Sequence, residues 1–324
     1  MGREAPMADF ASCTREMNAD LVSQLGIFRL TTLPDLSPRG GQIAGVKRLV
    51  PTRPELKLAC YRQGDIVCNE IVRSGHWERW LMETLALSLF VAQTQPSQKP
   101  LYLDIGGNVG GVAFPVAAYG FETHTFEMMP SNQKLLTLSR CANGMTEQEI
   151  KIYPVGLGAK SETCKMVSES TNQGDGMMLC GKDFNGTMRK NFVVRGTVNI
   201  ERLDDLAVSY IIPQLDAGRP VVAKIDVEGQ ELNVLAGAMS IFGHKNPPRV
   251  AIFEVWAELN IEQFCEKLLP LNYIGYGYTR RSWINDTESC AAYQQKHNNM
   301  DTVAWVQRDF ASLFAEAEKE VRKK

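Results

Sequence analysis

The chain has 324 residues, with 35 Lys+Arg against 37 Asp+Glu and a formal net charge of −2. Hydrophobic residues at 44% and charged residues at 22% are those of an ordinary globular protein and exclude collagen-like, disordered and coiled-coil architectures. The near-neutral balance excludes a nucleic-acid binder that works by bulk phosphate neutralisation, and the length allows one large domain or two small ones.

Residues 1–70 read as a partly irregular N-terminal extension, punctuated by Pro34, Pro38-Arg39-Gly40-Gly41, Pro51 and Pro54. Its start carries Arg3, Glu4, Asp9, Arg15 and Glu16, unlike a secretory signal, and Pro6 stands where a myristoylation motif needs Ser or Thr. No run reaches the ~18 apolar residues of a membrane span, so a soluble, cytoplasmic protein is expected. The sequons Asn185-Gly186-Thr187 and Asn285-Asp286-Thr287 then read as chance. The eight cysteines include no C-x-x-C pair and read as buried thiols behaving as small hydrophobes.

An α/β domain of 71–324 is expected after the extension. Trp77, Trp80-Leu81, Leu85, Leu89 and Ala92 recur at helical spacing, and Gln95-Pro96 ends that helix. Short apolar runs then alternate with helical segments: a strand at 101–105, a helix at 110–119, a strand at 123–127, a helix at 130–143 and a strand at 150–155. Polar, Gly-rich sequence at 159–190 interrupts the alternation before a strand at 192–200. It resumes with a strand at 221–226, a helix at 231–242, a strand at 250–256 and a helix at 261–269. Strands at 273–278 and 302–307 flank a second polar insertion, 279–301, and a charged helix closes the chain. Such alternation implies a parallel sheet with right-handed crossovers, whose ligands bind at the carboxyl ends of its strands.

Three clusters of chemistry fall at those ends. Asp104-Ile105-Gly106-Gly107-Asn108-Val109-Gly110-Gly111 joins the first strand to its helix; glycines let the backbone approach a ligand closely. It is not the dinucleotide G-x-G-x-x-G, and Asp104 suits a cationic group such as an α-ammonium, with a capped tight turn as the structural alternative. Glu127 ends the second strand about 20 residues past the glycines, where a carboxylate accepts both hydroxyls of a ribose. A nucleoside that carries an amino acid is S-adenosylmethionine. In the third cluster, Lys224-Ile225-Asp226-Val227-Glu228-Gly229-Gln230-Glu231, Asp226 and Glu228 follow an apolar run that buries them without a partner, unless Lys224 pairs with them. Glu231 falls in a first helical turn, where its charge suits the dipole.

The runs 103–110, Phe126-Glu127, Leu203-Asp204-Asp205-Leu206, 224–231, 234–238 and Ile252-Phe253-Glu254-Val255 together resemble the FkbM-type S-adenosylmethionine-dependent methyltransferases, over roughly 101–256. The resemblance implies an α/β class I methyltransferase (Rossmann-like) fold: a doubly wound, mostly parallel seven-stranded sheet in order 3-2-1-4-5-7-6, the seventh strand antiparallel. It implies methyl transfer to a hydroxyl of a sugar, glycolipid or secondary metabolite, from S-adenosyl-L-methionine. Asp104, Gly106, Gly107, Asn108 and Gly110 would line its methionine part, Glu127 its ribose, and Met128, Val155 and Gly156 its adenine. Asp226 would be the catalytic base and Glu228 the orienter or second candidate. Glu127-Met128-Met129-Pro130 departs from the family's usual Glu-Pro.

Ser74-Gly75-His76-Trp77-Glu78 reads as a helix start with Trp77 buried, the alternative being His76 or Glu78 near the reacting hydroxyl. Asn172-Gln173-Gly174-Asp175-Gly176 is open between a polar loop over the site and a solvated linker. No metal is required, although Asp226, Glu228 and Glu254 converge if their strands are neighbours. The partner expected is a small-molecule or glycan hydroxyl acceptor, with neither nucleic acid nor a membrane span. Two other readings stay open: a nucleotide-dependent oxidoreductase on a related sheet, and a catalytically silent binding module.

Overall fold

The structure, a computed structural model, describes residues 3–4, 13, 25–30, 52, 55–93, 98–181, 191–256, 260–296 and 301–322. The punctuating positions 34, 38–41, 51 and 54 and the sequon at 185–187 lie outside them. Within the extension, β1 (Arg3–Glu4), β2 (Leu25–Leu30) and β3 (Leu56–Tyr61) pair antiparallel as a three-stranded sheet. The described part of the extension therefore holds paired strands and the start of a helix. Asp65 caps the following helix, α1 (Ile66–Ser74), by accepting from the Cys68 N–H, and Gly75 ends it at φ 83°, the left-handed conformation glycine adopts without steric cost.

Helix α2 (Arg79–Ala92) is buried from Leu81 to Ala92 apart from Glu83, because it packs against one face of the main sheet with the C-terminal helix beside it. The alternation then runs β4 (Leu101–Ile105), α3 (Ala113–Ala118), β5 (Thr123–Phe126), α4 (Pro130–Ala142) and β6 (Ile150–Tyr153). Helix α3 begins three residues later than the sequence suggested. Gly110 sits at φ 88°, which cannot continue a right-handed helix, and its N–H bonds Gly107 O in a turn at 2.8 Å.

Residues 159–190 are not a featureless insertion. β7 (Gly156–Leu157), β8 (Glu162–Glu169), β9 (Asn172–Leu179) and β10 (Phe192–Glu201) form a second sheet in the order β7-β10-β8-β9. Its glycine-rich composition hid the strand signal, since Gly and Asp are poor strand formers by composition alone. The core resumes with α5 (Leu203–Ala207), α6 (Ile211–Asp216), β11 (Val221–Ile225), α7 (Glu231–Ala236), α8 (Met239–Phe242) and β12 (Val250–Val255). It ends with α9 (Ile261–Leu268), β13 (Tyr273–Gly277), β14 (Ser282–Ile284), α10 (Thr287–Gln294), β15 (Asp301–Gln307) and α11 (Ala311–Arg322).

The main sheet has eight strands, in the order β14-β13-β15-β12-β11-β4-β5-β6. Its core strands are parallel, and β15 runs antiparallel to both neighbours. The eighth strand, one more than the seven expected, is β14, three residues that pair antiparallel with β13 at the edge. Unbroken apolar runs arise because both faces are covered. Leu101, Leu103, Ile105, Val221, Ala223, Ile225, Ala251 and Phe253 face one core; Tyr102, Val222, Val250 and Ile252 face the other, under α2. Among the described residues no helix is long and apolar enough to cross a membrane.

The cysteine expectation is corrected. Cys13–Cys141, Cys164–Cys180 and Cys265–Cys290 are disulfide-bonded, with Cα separations of 5.9, 4.6 and 6.5 Å; Cys60 and Cys68 are buried free thiols. Connectivity of this kind depends on which chain segments meet in space and is not encoded in spacing. Alkylation of the denatured, unreduced protein is expected to tag two cysteines, and eight after reduction; any other count contradicts the pairing. The bond spanning 128 residues closes the longest loop, worth about 4–5 kcal/mol in the chain-entropy account, so its Cys13→Ser variant should lose the most stability of the three.

Candidate active site

The strand register builds the site. Asp104 on β4 lies beside Lys224 on β11. Both follow the alternation of Tyr102 and Val222, so both face the α2 side of the sheet, where the apolar core gives way to charge at the carboxyl ends. Glu254 on β12 continues the same face after Ile252. Lys224 is 4% exposed; its Nζ lies 3.0 Å from Asp226 Oδ2, 3.7 Å from Asp104 Oδ1 and donates to Gly106 O at 3.2 Å. Burial opposes its charge, but Asp226 and Asp104 outweigh burial and hold the ammonium above the usual lysine range. The pairing that the sequence left as an alternative is present.

Gly106 is held at φ 84°, and a Cβ there would stand 1.7 Å from Asp226 O. The glycine loop is thus pressed onto the end of β11, which only glycine permits. The Gly106 and Gly107 N–H groups both bond Phe126 O at 3.0 Å, tying the loop to β5. Asp104 is fully buried; Oδ1 accepts from Tyr102 Oη at 3.2 Å, whereas Oδ2 has no partner. Burial raises its carboxyl above the usual range.

Glu127, 7% exposed, accepts from the Asn108 N–H through Oε2 and from the Met129 N–H through Oε1, each at 2.7 Å. A carboxylate offers about four acceptor sites, so two remain for a ligand. Burial, assisted by Asp104, pushes Glu127 up to about 7. Glu231 is structural: Oε1 accepts from the Val227 and Gly229 N–H groups at 2.9 and 3.2 Å, which folds the turn after β11. Asp204, from the Leu203-Asp204-Asp205-Leu206 run, is also structural and accepts from the Ser240 and Ile241 N–H groups.

These groups open into a cavity of about 370 Å³. Asp104, Gly106, Gly107, Asn108, Glu127, Met128, Val155, Gly156, Asp226 and Glu228 all line it. Gly110 does not; a side chain there would strike Phe114 and Leu136, so its smallness serves packing. β11 ends at Ile225, and Glu228 sits in the turn beyond at φ 56°. Even so, oxygens of Asp226, Glu228 and Glu254 come within 4.8 Å of one another. Burial and the neighbouring Asp175 and Asp226 push Glu228 up to about 11; burial and Asp226 push Glu254 up to about 9.

The remaining wall comes from residues the sequence did not single out or left open. Trp77 and Glu78 line the cavity, whereas His76 does not. Ile66 and Val67 of α1 and Trp256 after β12 join them. Residues 172–176 are neither loop nor linker: they begin β9, and Asn172, Gly174 and Asp175 line the cavity. They are fastened to the extension, where Asp65 Oδ2 accepts from the Gly174 N–H at 2.9 Å and Asn172 Oδ1 from the Ile66 N–H at 3.0 Å. The signal that could have found them was Asp65, a helix cap whose second oxygen needs a distant donor.

Residues 104–268 match the methyltransferase FkbM domain family. Among solved structures, the chain is similar to the SAM-dependent methyltransferase from Agrobacterium tumefaciens, at 8% identity, covering 78% of this chain and 67% of that one, with a TM-score of 0.36. It is also similar to a ribosomal protein L11 methylase from Lactobacillus delbrueckii subsp. bulgaricus, at 11% identity, covering 70% and 79%, with a TM-score of 0.31. No curated protein sequence matches it.

Proposed function

The chain belongs to the FkbM methyltransferase family, and we propose that it transfers the methyl group of S-adenosylmethionine to a hydroxyl oxygen of a sugar, glycolipid or secondary metabolite. One observation carries the cofactor assignment: the orphaned Oδ2 of fully buried Asp104 lies beside the glycine loop, in a residue that lines the cavity with Glu127. A buried carboxylate oxygen without a donor is costly, and an α-ammonium supplies that donor. Glu127 keeps two acceptor positions for ribose hydroxyls, and the Met128, Val155 and Gly156 wall is apolar enough for an adenine. The group therefore fits, and when bound it supplies an electrophilic methyl on a sulfonium.

The chain's own residues then align and deprotonate. Asp226 takes the acceptor's hydroxyl proton, Lys224 fixes the Asp226 carboxylate from 3.0 Å, and Glu228 orients the hydroxyl by hydrogen bonding. Alignment contributes up to ~7–11 kcal/mol in favourable cases. The three disulfides are of a kind that persists in oxidising compartments, which favours such a location over the cytoplasm.

Titration calorimetry with S-adenosylmethionine and S-adenosylhomocysteine, followed by labelled-methyl transfer to a cell extract, tests the reading; no heat from either ligand overturns it. Affinity should also depend on pH. Ribose hydroxyls bond the ionised Glu127, which burial holds at about 7 in the free protein. Binding is then full above that value, and each unit of pH below it should weaken affinity by about ten-fold. A flat profile between pH 6 and 8 would remove Glu127 from the ribose.

A further inference from the structure

The cavity holds more acidic side chains than the proposed cofactor and Lys224 can answer. Lys224 is the only basic side chain among its described lining residues. Lys224 and the cofactor's ammonium and sulfonium account for Asp104 and Asp226, and ribose hydroxyls account for Glu127. Glu78, Asp175, Glu228 and Glu254 remain among its lining residues. We propose that the acceptor carries a cationic group, an ammonium or amidinium near its reacting hydroxyl, held by Glu78, Glu228 and Glu254. This rests on the methyl-transfer reading above and narrows its substrate class.

Four observations support it. First, Lys224 spends its contacts on Asp226, Asp104 and Gly106 O, which leaves the other acids of this cavity without a basic partner among its described lining residues. Second, Trp77 and Trp256 line the cavity with the acids, and the Trp256 indole N–H donates to Glu254 Oε2 at 3.0 Å. Carboxylates beside aromatic faces are the usual setting for an organic ammonium. Third, Glu78 and Glu228 are held at φ 28° and 56°, a region that costs a non-glycine residue energy and that clusters at ligand sites. Both strained glutamates line this cavity. Fourth, burial and Asp226 hold the Glu78 carboxyl above its usual range, as they do Glu254; a cation placed among these groups lets them ionise and hydrogen-bond it.

An organic cation suits the cluster better than a metal ion. The Lys224 ammonium already lies 3.0 Å from Asp226 and would repel a divalent ion at that ligand. Ile66, Val67 and the indoles match a carbon-bearing cation rather than a hydrated one.

The test is calorimetry on the full chain saturated with S-adenosylhomocysteine, with paired probes: glucosamine against N-acetylglucosamine, and ethanolamine against ethylene glycol. The cationic member of at least one pair is expected to bind more tightly by about ten-fold or more, ~1.4 kcal/mol. Glu78→Gln and Glu254→Gln should each erase most of that preference while S-adenosylhomocysteine affinity and melting temperature stay near wild type. Equal binding within both pairs, or no binding by any probe, overturns the proposal. So does a magnesium or manganese titration that saturates the site and is abolished by Glu254→Gln, which would make the cluster a metal site. Failure of S-adenosylhomocysteine itself to bind overturns the methyl-transfer reading and this inference with it; binding without charge preference overturns the inference alone.

Discussion

Asp226→Asn is expected to lower methyl transfer by about 10²–10⁴-fold, the usual worth of a positioned general base, while S-adenosylmethionine affinity stays within a few-fold. The substitution preserves volume and leaves an amide oxygen for the Lys224 ammonium, now 3.0 Å from Asp226 Oδ2. It removes the capacity to take a proton at the place where β11 ends and the cavity begins. Because the glycine loop contacts the backbone oxygen of this residue, Asp226→Asn leaves the loop's seat unchanged, so lost turnover reports the side chain. The check is single-turnover transfer beside calorimetric cofactor affinity. Turnover that survives the substitution would move the proton to Glu228, Glu254 or solvent.

The second large effect is on stability. Lys224→Met should cost about 3–5 kcal/mol, the range for breaking a buried pair from one side. Two acids are left behind: Asp104, fully buried, and Asp226. The pH dependence follows from the direction of the lysine's shift. Its folded pKa is raised above the unfolded value of about 10.4, so its contribution is fully present at neutral pH and is lost only as pH rises through the folded value. In the variant the deficit should shrink as pH falls, because buried Asp104, whose carboxyl burial already raises, then takes up a proton and no longer needs a counter-charge. Urea midpoints at pH 7 and pH 5 measure this. Adding Asp104→Asn to Lys224→Met should recover part of the loss, since neighbouring groups that share a network are not additive. A single-variant loss below about 1 kcal/mol would mean that water already screens the triad.

The ion triad also shows how closely the site and the fold depend on one another. Lys224 anchors the glycine loop through Gly106 O, orients Asp226 and offsets Asp104. One side chain therefore holds together the ends of β4 and β11 and the turn between β4 and α3. Removing its charge is expected to affect cofactor binding as well as unfolding, whereas Asp226→Asn separates chemistry from stability.

What could be read from the sequence was what is local. The glycines between β4 and α3, Glu127 at the end of β5, and Asp226 after an apolar run each declare themselves within a few residues. Backbone geometry at a strand end constrains its immediate neighbours, and the spacing of strands and helices fixes the parallel sheet. The match over residues 104–268 covers that same stretch. Lys224 was visible as a possible partner, but its register opposite Asp104 became definite only when β4 and β11 lay side by side.

The tertiary structure alone decided the acidic wall of the cavity, the second sheet and the disulfides. Glu78, Asp175 and Glu254 are far apart in the chain and line one cavity because the start of α2, the first half of β9 and the end of β12 converge on it; no local pattern encodes that meeting. β8 and β9 pair despite weak strand composition because each supplies the other's hydrogen bonds, a gain that exists only once the strands are adjacent. Cys13 and Cys141 likewise meet across 128 residues. The sequence by itself determined a methyltransferase core and the carboxylates at its strand ends, because those features are short-range. Which groups line the cavity together followed from long-range packing, where energy depends on neighbours that the linear order does not name.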